Sequence, residues 1–245
     1  MKRKLFLSFI LLALTALSYA QKPSVESIRK RLSLGFGVFN DFWMKVPDSI
    51  NPRAIHQGVD VFFHYSFPMD KKGHMSFFIG SGIGAHNFYN QALIGTGKYN
   101  YYEKPLIPDP KRQNESYFYN APRKDPAGKS VEVVKSKLSI TYVDVPFGFK
   151  YKATNKVHGT LGFKVGWSLN AHTKYKGTAL DGSGLEVVEK SLKLSNMENF
   201  HYGPFAEIGY KWIGASVFYQ LSSVFKKDLG PQIYPISLGL VFKPF

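Results

Sequence analysis

The chain contains no cysteine in its 245 residues. We therefore expect no disulfide framework, no thiol chemistry and no lipid-anchored cysteine behind a leader peptide. After residue 20, no run reaches the roughly 18 consecutive apolar residues that a membrane-spanning helix needs. Acidic residues are few beside basic ones, 17 against 32, which gives a formal net charge of +15. The seven histidines have no metal-ligand spacing, so we predict neither a metal site nor a cofactor.

Residues 1–20 are predicted to be a cleaved secretory signal peptide. They combine a basic start at 2–4, an apolar run over 5–17 and a small-x-small pattern at 18–20. The apolar run is too short for the alternative, a transmembrane anchor. Because an exported chain leaves the cytoplasm, the basic excess predicts anionic partners at the cell surface and argues against nucleic acid. The alternative is that the lysines only keep the loops solvated.

Two neighbouring segments, 139–151 and 157–170, alternate between large apolar residues and small or polar ones. This period of two predicts two β-strands joined by a short hairpin. The apolar face is rich in aromatic residues, and the other face carries glycine, serine, threonine and isolated charges. A soluble sandwich would reverse this distribution. The pattern is typical of a transmembrane β-barrel, with lipid outside and a narrow polar lumen inside.

The same alternation recurs along the chain and predicts an all-β fold. The predicted strands cover about 32–41, 56–67, 74–89, 139–151, 157–170, 200–212, 214–225 and 233 to the end. We therefore predict that residues 21–245 form an eight-stranded antiparallel transmembrane β-barrel with short periplasmic turns and long extracellular loops. Both termini would then be periplasmic, in the bacterial outer membrane. Ten strands are the alternative, if residues 185–194 reach the membrane.

The longest predicted extracellular loop, about 90–136, is rich in tyrosine and basic residues. Aromatic rings stack on sugars, and cations pair with phosphates, so the loop is a candidate surface for lipopolysaccharide or a partner protein. A loop that only shields the barrel is the alternative. The binding candidates are Tyr99, Tyr101, Tyr102, Lys111, Arg112, Tyr117, Tyr119, Arg123 and Lys124.

Several charged residues fall on the predicted lumen face. A charge on the lipid face at mid-depth would cost about 2–4 kcal/mol, so these groups are expected to pair with one another inside the barrel. We predict a polar network that rigidifies the barrel; a proton or ion path is the alternative. The predicted network is Asp60, His64, Asp144, Lys150, Lys164, Glu207 and Lys211.

His64 and Ser66 share one strand face and are similar to the His-x-Ser core of PagL-type lipid A deacylases. Phe67 stands where that motif continues with Asn, and the predicted register turns both residues toward the lumen and away from lipid. We therefore predict that the protein is not an enzyme, and we keep lipid A modification as an alternative.

One strand motif resembles a known family. The run Tyr142-Val143-Asp144-Val145-Pro146, followed by Phe149-Lys150-Tyr151, resembles the PorT-like outer-membrane β-barrel family, with Asp144 where Glu is more usual. Residues 236–242 and the final Phe245 look like a barrel terminus that the barrel assembly machinery reads during insertion. The resemblance implies an outer-membrane barrel, and the family's namesake implies a protein partner in a type IX secretion-like complex.

The preferred hypothesis is a non-enzymatic outer-membrane barrel whose surface loops bind a partner or the lipopolysaccharide layer. Three alternatives remain: an accessory subunit of an export machine, a lipid A-modifying enzyme, and a soluble periplasmic lipocalin-like barrel. Heat-dependent gel mobility in outer-membrane fractions separates the last of these from the others.

Overall fold

The computed structural model describes residues 28, 31–47, 52–90, 92–96, 115–120, 124, 127–179, 182–192, 194 and 196–244. The predicted signal peptide lies outside these residues. No helix within these ranges has the length and apolar character that membrane crossing requires. The described ranges form eleven strands: β1 (Leu32–Met44), β2 (Gln57–Pro68), β3 (Met75–Asn90), β4 (Ala92–Thr96), β5 (Ser116–Asn120), β6 (Val133–Lys152), β7 (Val157–Thr178), β8 (Glu186–Ser191), β9 (Phe200–Tyr210), β10 (Ile213–Tyr219) and β11 (Tyr234–Phe242).

Nine of these strands form one antiparallel sheet that closes on itself. The strand order is β6-β3-β2-β1-β11-β10-β9-β7-β8, and β6 also pairs with β7. The closed ring therefore passes through β1, β2, β3, β6, β7, β9, β10 and β11. Closure lets each ring strand satisfy its backbone hydrogen bonds with two neighbours, as a sheet surrounded by lipid must. The remaining pair, β4 and β5, forms a separate hairpin.

Side chains along the ring alternate between the outside and the inside of the barrel. In β1, Leu34, Phe36 and Val38 are exposed, whereas Gly35 and Gly37 are buried. The same period of two gives the outer wall an apolar and aromatic surface, as the sequence pattern predicted. Exposed outer-wall residues include Phe147, Tyr151, Leu161, Trp167, Ile208, Tyr210, Trp212 and Leu240.

The connections differ sharply between the two ends of the ring. Residues 69–74, 153–156 and 211–212 make the connections at one end, which we call the turn end. Residues 45–56, 91–132, 179–199 and 220–233 connect the strands at the other, the loop end. β1 leads into a loop-end connection and β11 follows one, so the first residue of β1 and the last residue of β11 both lie at the turn end. The antiparallel pairing of the two strands agrees with this.

At the loop end, β6 and β7 extend further than the alternation predicted. Their pairing continues to Val133 opposite Gly177, although residues 133–136 and 171–178 were expected in loops. The expectation failed because the outward positions there change from apolar residues to lysine and histidine, which ends the apolar alternation but leaves the backbone ladder intact. The strand β8 pairs with β7 from Thr173 to Thr178, beyond the point where β9 leaves it, so β8 lies outside the ring.

Apolar side chains fill the inside of the barrel at the loop end. We call this cluster the apolar plug. It combines inward residues of β3 and β6 with residues from the long connections, so the chain at the loop end folds back into the barrel mouth. The plug consists of Phe88, Ala92, Phe118, Leu138, Ile140, Tyr142, Met197, Val224, Phe225 and Ile233, all nearly inaccessible to solvent.

Candidate functional site

Six of the seven residues predicted for the lumen lie on the inner side of the ring. They are Asp60, His64, Asp144, Lys150, Lys164 and Glu207, and each is buried or half-buried. The prediction for Lys211 is wrong. The strand β9 ends at Tyr210, two residues earlier than expected, so Lys211 falls in the exposed turn, where its Nζ lies 5.2 Å from the centre of the Tyr210 ring.

Asp144 connects three strands at mid-barrel. Its Oδ1 lies 2.5 Å from Nε2 of His201 on β9, and its Oδ2 lies 3.8 Å from Nζ of Lys164 on β7. The His201 ring stacks on Tyr142 with 3.8 Å between ring centres. Gly166 makes this geometry possible, since a Cβ there would meet Asp144 Oδ1 and His201 Nε2. A buried carboxylate with two basic partners is a stable arrangement only while both partners remain.

A second buried carboxylate, Asp41, lies nearer the loop end. Its Oδ2 is 2.9 Å from Nδ1 of His86, and its Oδ1 accepts a hydrogen bond of 2.5 Å from the Ser237 hydroxyl. In a hydrolase triad the imidazole contacts the serine hydroxyl and the acid orients the imidazole. Here the serine contacts the acid instead, so the arrangement does not activate Ser237 as a nucleophile.

Each inward lysine toward the turn end lies over an aromatic ring. The Nζ atoms of Lys150, Lys164 and Lys243 lie 4.7, 4.6 and 5.6 Å from the ring centres of Phe78, Phe218 and Phe62. Lys243 is also paired with Glu207, and Lys150 Nζ donates to Ser66 Oγ at 3.4 Å. Cation–π contacts and charge pairing together keep these lysines favourable inside the barrel.

The space left among these side chains is small. A cavity of about 60 Å³ lies at mid-barrel, lined by Asp60, His64, Lys164, Glu207 and neighbouring residues. A buried water needs about 10–15 Å³ of such volume, so the cavity has room for a few water molecules and for little else. Toward the loop end the apolar plug lies above it. The geometry is that of a filled polar interior; it does not resemble a diffusion channel.

His64 and Ser66, the residues of the deacylase alternative, also face inward. His64 is buried between the rings of Phe62 and Phe78, at 4.7 and 4.6 Å between ring centres. The Ser66 hydroxyl accepts from Lys150. In the described part of the chain, no three histidine, aspartate or glutamate side chains are grouped as metal ligands.

Sequence reasoning missed Asp41, His86, His201 and Lys243 as members of the inner network. All four could have been found, because each shares the inward parity of its predicted strand. Asp41 follows Gly37 and Phe39, His86 follows Gly84, and His201 precedes Glu207 at even spacing. Lys243 follows Ser237, Gly239 and Val241 at the same spacing in the predicted last strand, although β11 itself ends at Phe242.

Most of the predicted loop-binding residues lie outside the described residues. These are Tyr99, Tyr101, Tyr102, Lys111, Arg112 and Arg123. Tyr117 and Tyr119 lie on β5, where their backbones pair with Gly95 and Leu93. Lys124 is exposed and its backbone bridges to Ser130. The described residues therefore include three of the nine candidates, and the loop site stays a prediction.

A basic surface lies on the outer wall at the loop end. Lys137 of β6 lies opposite Lys174 of β7, which in turn lies opposite Lys190 of β8. Lys135 and Lys176 form the next such pair along β6 and β7. Residues directly opposite in antiparallel strands project from the same face. We call these five residues the outer lysine face.

The outer lysine face points away from the barrel interior. The alternate residues of β6, Ser136 and Leu138, are buried on the inner side. At the β3 edge, the Nζ atoms of Lys135 and Lys137 lie 5.1 and 5.9 Å from the centre of the Tyr89 ring. Lys137 Nζ also donates to Asn87 Oδ1 at 2.7 Å. Within the described ranges, no carboxylate forms an ion pair with any of these lysines.

Comparison with solved structures finds outer-membrane proteins at low similarity. Ail, the attachment invasion locus protein of Yersinia pestis, in complex with the heparin analogue sucrose octasulfate, is 12% identical, with 86% of this chain and 97% of that chain covered and a TM-score of 0.37. A triple mutant of Rhodopseudomonas blastica porin is 8% identical, with 86% and 99% covered and a TM-score of 0.21. No curated protein matches the sequence.

A family model describes the central part of the chain. The model of the outer membrane protein beta-barrel domain matches residues 77–226, which is more than half of the sequence. That span runs from β3 into the connection after β10 and contains the Asp144 network, the outer lysine face and much of the apolar plug. The chain belongs to the outer membrane protein β-barrel domain family.

Proposed function

We propose that this outer-membrane barrel is non-enzymatic and acts through its outer surface at the loop end, where it binds the lipopolysaccharide layer or a partner. In this proposal the ring strands span the membrane, the signal peptide is cleaved, the turn end and both termini are periplasmic, and the loop end faces outward. Short turns on the periplasmic side and long loops outside are the usual asymmetry of such barrels.

The filled interior carries this proposal. Buried ion pairs occupy the middle of the barrel, and the apolar plug occupies its loop end. A general pore needs a wider lumen, which barrels of higher strand number provide. Because the interior is too narrow for solutes larger than water, we expect other molecules to bind on the outer surface.

Planar-bilayer recording tests the sealed interior. We expect purified wild-type protein to give no conductance steps, while a matched porin preparation conducts. Stable channels in the wild-type protein would contradict the proposal and favour a transport role for the Asp144 network.

Purification of the tagged protein from native outer membranes in mild detergent, with mass spectrometry of co-eluting molecules, tests the partner. Elution alone or with lipopolysaccharide supports a stand-alone surface barrel. A stoichiometric protein partner would favour the second candidate, an accessory subunit of a type IX secretion-like export machine.

The non-enzymatic part of the proposal has its own test. Lipid A from cells that overproduce the wild-type protein is compared by mass spectrometry with lipid A from cells that carry His64→Ala and Ser66→Ala. We expect identical acylation, because Ser66 contacts Lys150 and His64 is packed between two phenylalanines. Loss of an acyl chain only with the wild-type protein would establish a deacylase.

A further inference from the structure

The outward residues of β6 and β7 change character along the barrel wall. Toward the turn end they pair as Val145 with Val165 and Val143 with Trp167. Beyond Trp167 the ladder shifts register, and the outward pairs become Thr141 with Asn170 and Ser139 with His172. The Lys137–Lys174 pair follows. Tryptophan is enriched where membrane meets water, so Trp167, with the exposed Leu169 at the register shift just beyond it, marks the upper edge of the apolar wall.

The outer lysine face lies well above that edge. Lys174 is seven residues beyond Trp167 on the same strand. With a rise of about 3.3 Å per residue and a strand tilt of about 40°, the lysines stand roughly 15–18 Å above the level of Trp167. Because they project sideways from the wall, the molecules they meet are those standing beside the barrel in the same leaflet.

The lysines of this face repel one another. Like charges directly opposite one another in a sheet destabilise it. Lys174 has a lysine opposite it on both sides, in β6 and in β8. Neither Tyr89 nor Asn87 carries a neutralising charge, although both contact these lysines. The nearest acid on the same face of β8 is Glu186, at the far end of the strand, opposite Thr178. An anionic ligand would remove this repulsion.

We infer that the outer lysine face binds the phosphate groups of lipopolysaccharide molecules packed beside the barrel. The inference rests on the proposed function, since it requires the loop end to face outward. Lysine binds phosphate as a point charge through three donors, and a row of lysines spaced by one strand can engage a row of phosphates. The paired strands hold the row in place before the ligand arrives.

The test uses the full chain purified in mild detergent and stripped of bound lipid. Phosphorylated short-chain lipopolysaccharide is titrated, and retained molecules are counted by native mass spectrometry at two salt concentrations. The variant Lys137→Gln/Lys174→Gln/Lys190→Gln is compared with the matched control Lys71→Gln/Lys72→Gln/Lys152→Gln, whose lysines are exposed at the turn end. Heat-dependent gel mobility verifies that each variant is folded.

We expect the triple variant to bind on the order of 100-fold more weakly, because each surface lysine contributes about fivefold to the affinity for an anionic layer. The control should stay within about twofold of wild type, and arginine at the three positions should restore binding. Dephosphorylated lipopolysaccharide should bind wild type and variant alike. The difference between variant and wild type should shrink as salt rises.

Equal retention of lipopolysaccharide by the triple variant and the wild type would overturn the inference. So would tight binding of a soluble sulfated polysaccharide that depends on the three lysines while lipopolysaccharide binding does not. Either result leaves the proposed surface barrel standing, provided the protein fractionates with the outer membrane. Absence from that fraction would remove the proposed function and this inference together.

Discussion

The two halves of the barrel interior are filled by side chains of opposite chemistry, apolar at the loop end and largely charged or polar toward the turn end. At the loop end the apolar plug is built as a soluble protein core is built, from side chains such as Leu138 and Phe225 that are almost fully buried. From mid-barrel to the turn end, charged groups fill much of the space, and most of them are matched by a counter-charge, a hydroxyl or an aromatic ring; Asp60, whose buried Oδ1 has no hydrogen-bond partner, is the exception among the described residues. The strands β3 and β6 each line both halves.

The two halves should lose stability in different ways when a side chain is substituted. Apolar contacts are many and individually weak, so the loss of one side chain leaves a cavity and a partial cost. A buried ion pair depends on both members, so the loss of one leaves an uncompensated charge. In the polar half, a single substitution should therefore cost much stability and a substitution of both partners should cost less. In the apolar half, the loss of stability should be proportional to the side-chain volume removed.

The largest effect is expected for Asp144→Leu. It leaves His201 and Lys164 buried without their carboxylate, and we expect a loss of about 3–5 kcal/mol in the free energy of unfolding. Denaturant unfolding in detergent micelles measures this. The double variant Asp144→Leu/His201→Phe should recover part of the loss, because the His201 imidazole is no longer buried without its partner, while Lys164 still lacks its counter-charge. If the stability losses of the two single variants simply add in the double variant, the two side chains do not depend on each other and this account of the polar half is wrong.

Leu138→Ala is expected to come next, at about 2–5 kcal/mol, because it removes fully buried methyl groups from the apolar plug. The matched control is Leu161→Ala on the outer wall, where Leu161 is 66% exposed and its methyl groups leave no internal cavity. Equal effects at the two positions in denaturant unfolding would mean that the plug is not packed as a core.

A smaller effect of opposite sign is expected on the outer wall. Lys174→Gln removes the central charge of three opposed lysines, and should stabilise the β6–β7–β8 pairing by about 0.2–1 kcal/mol in lipopolysaccharide-free detergent. Slower amide hydrogen exchange in β8 would report it. Addition of salt should reduce the difference between variant and wild type; a destabilised β8 would show that the lysines are held by attraction instead.

The smallest effect concerns the turn after β2. The backbone N–H groups of Met75 and His74 donate to the Asp70 carboxylate at 2.7 and 3.1 Å and hold its pKa below the ordinary 3.8. A depressed pKa contributes stability above the unfolded value, and this contribution is lost as the pH falls through the folded value. Side-chain NMR titration should therefore give a pKa below 3.8. Met75→Pro, which deletes one donor, should move it back toward 3.8.

Much of the ring could be predicted because lipid outside and a narrow lumen inside impose a strict period of two on each strand. Val59, Val61 and Phe63 alternate with Gly58, Asp60 and Phe62 for that reason. The same parity carries Asp41, His86 and His201 inward, so their place in the network was readable from the sequence.

The apolar plug could not be predicted, because six of its ten residues come from the long connections between ring strands, whose folding over the barrel leaves no periodic pattern. Phe118, Met197 and Phe225 meet only when three separate connections fold into the same end of the barrel. The outer lysine face was hidden for a related reason. Its members look like solvated loop lysines until the register of β6, β7 and β8 sets them opposite one another. The error at Lys211 came from placing a turn two residues late.

The pairing of β1 with β11 has a consequence for how the barrel is made. In every other strand pair of the ring, the two strands follow one another along the chain or have only β4 and β5, or β8, between them. The strands β1 and β11 lie at opposite ends of the described chain, and the hydrogen bond from Ser237 to Asp41 joins residues 196 positions apart. This seam cannot form until the last strand has been synthesised, and its loop-closure entropy is the largest in the molecule. Ring closure is therefore expected to be the slow, final event of biogenesis, with the short Asp41–Ser237 hydrogen bond as its marker.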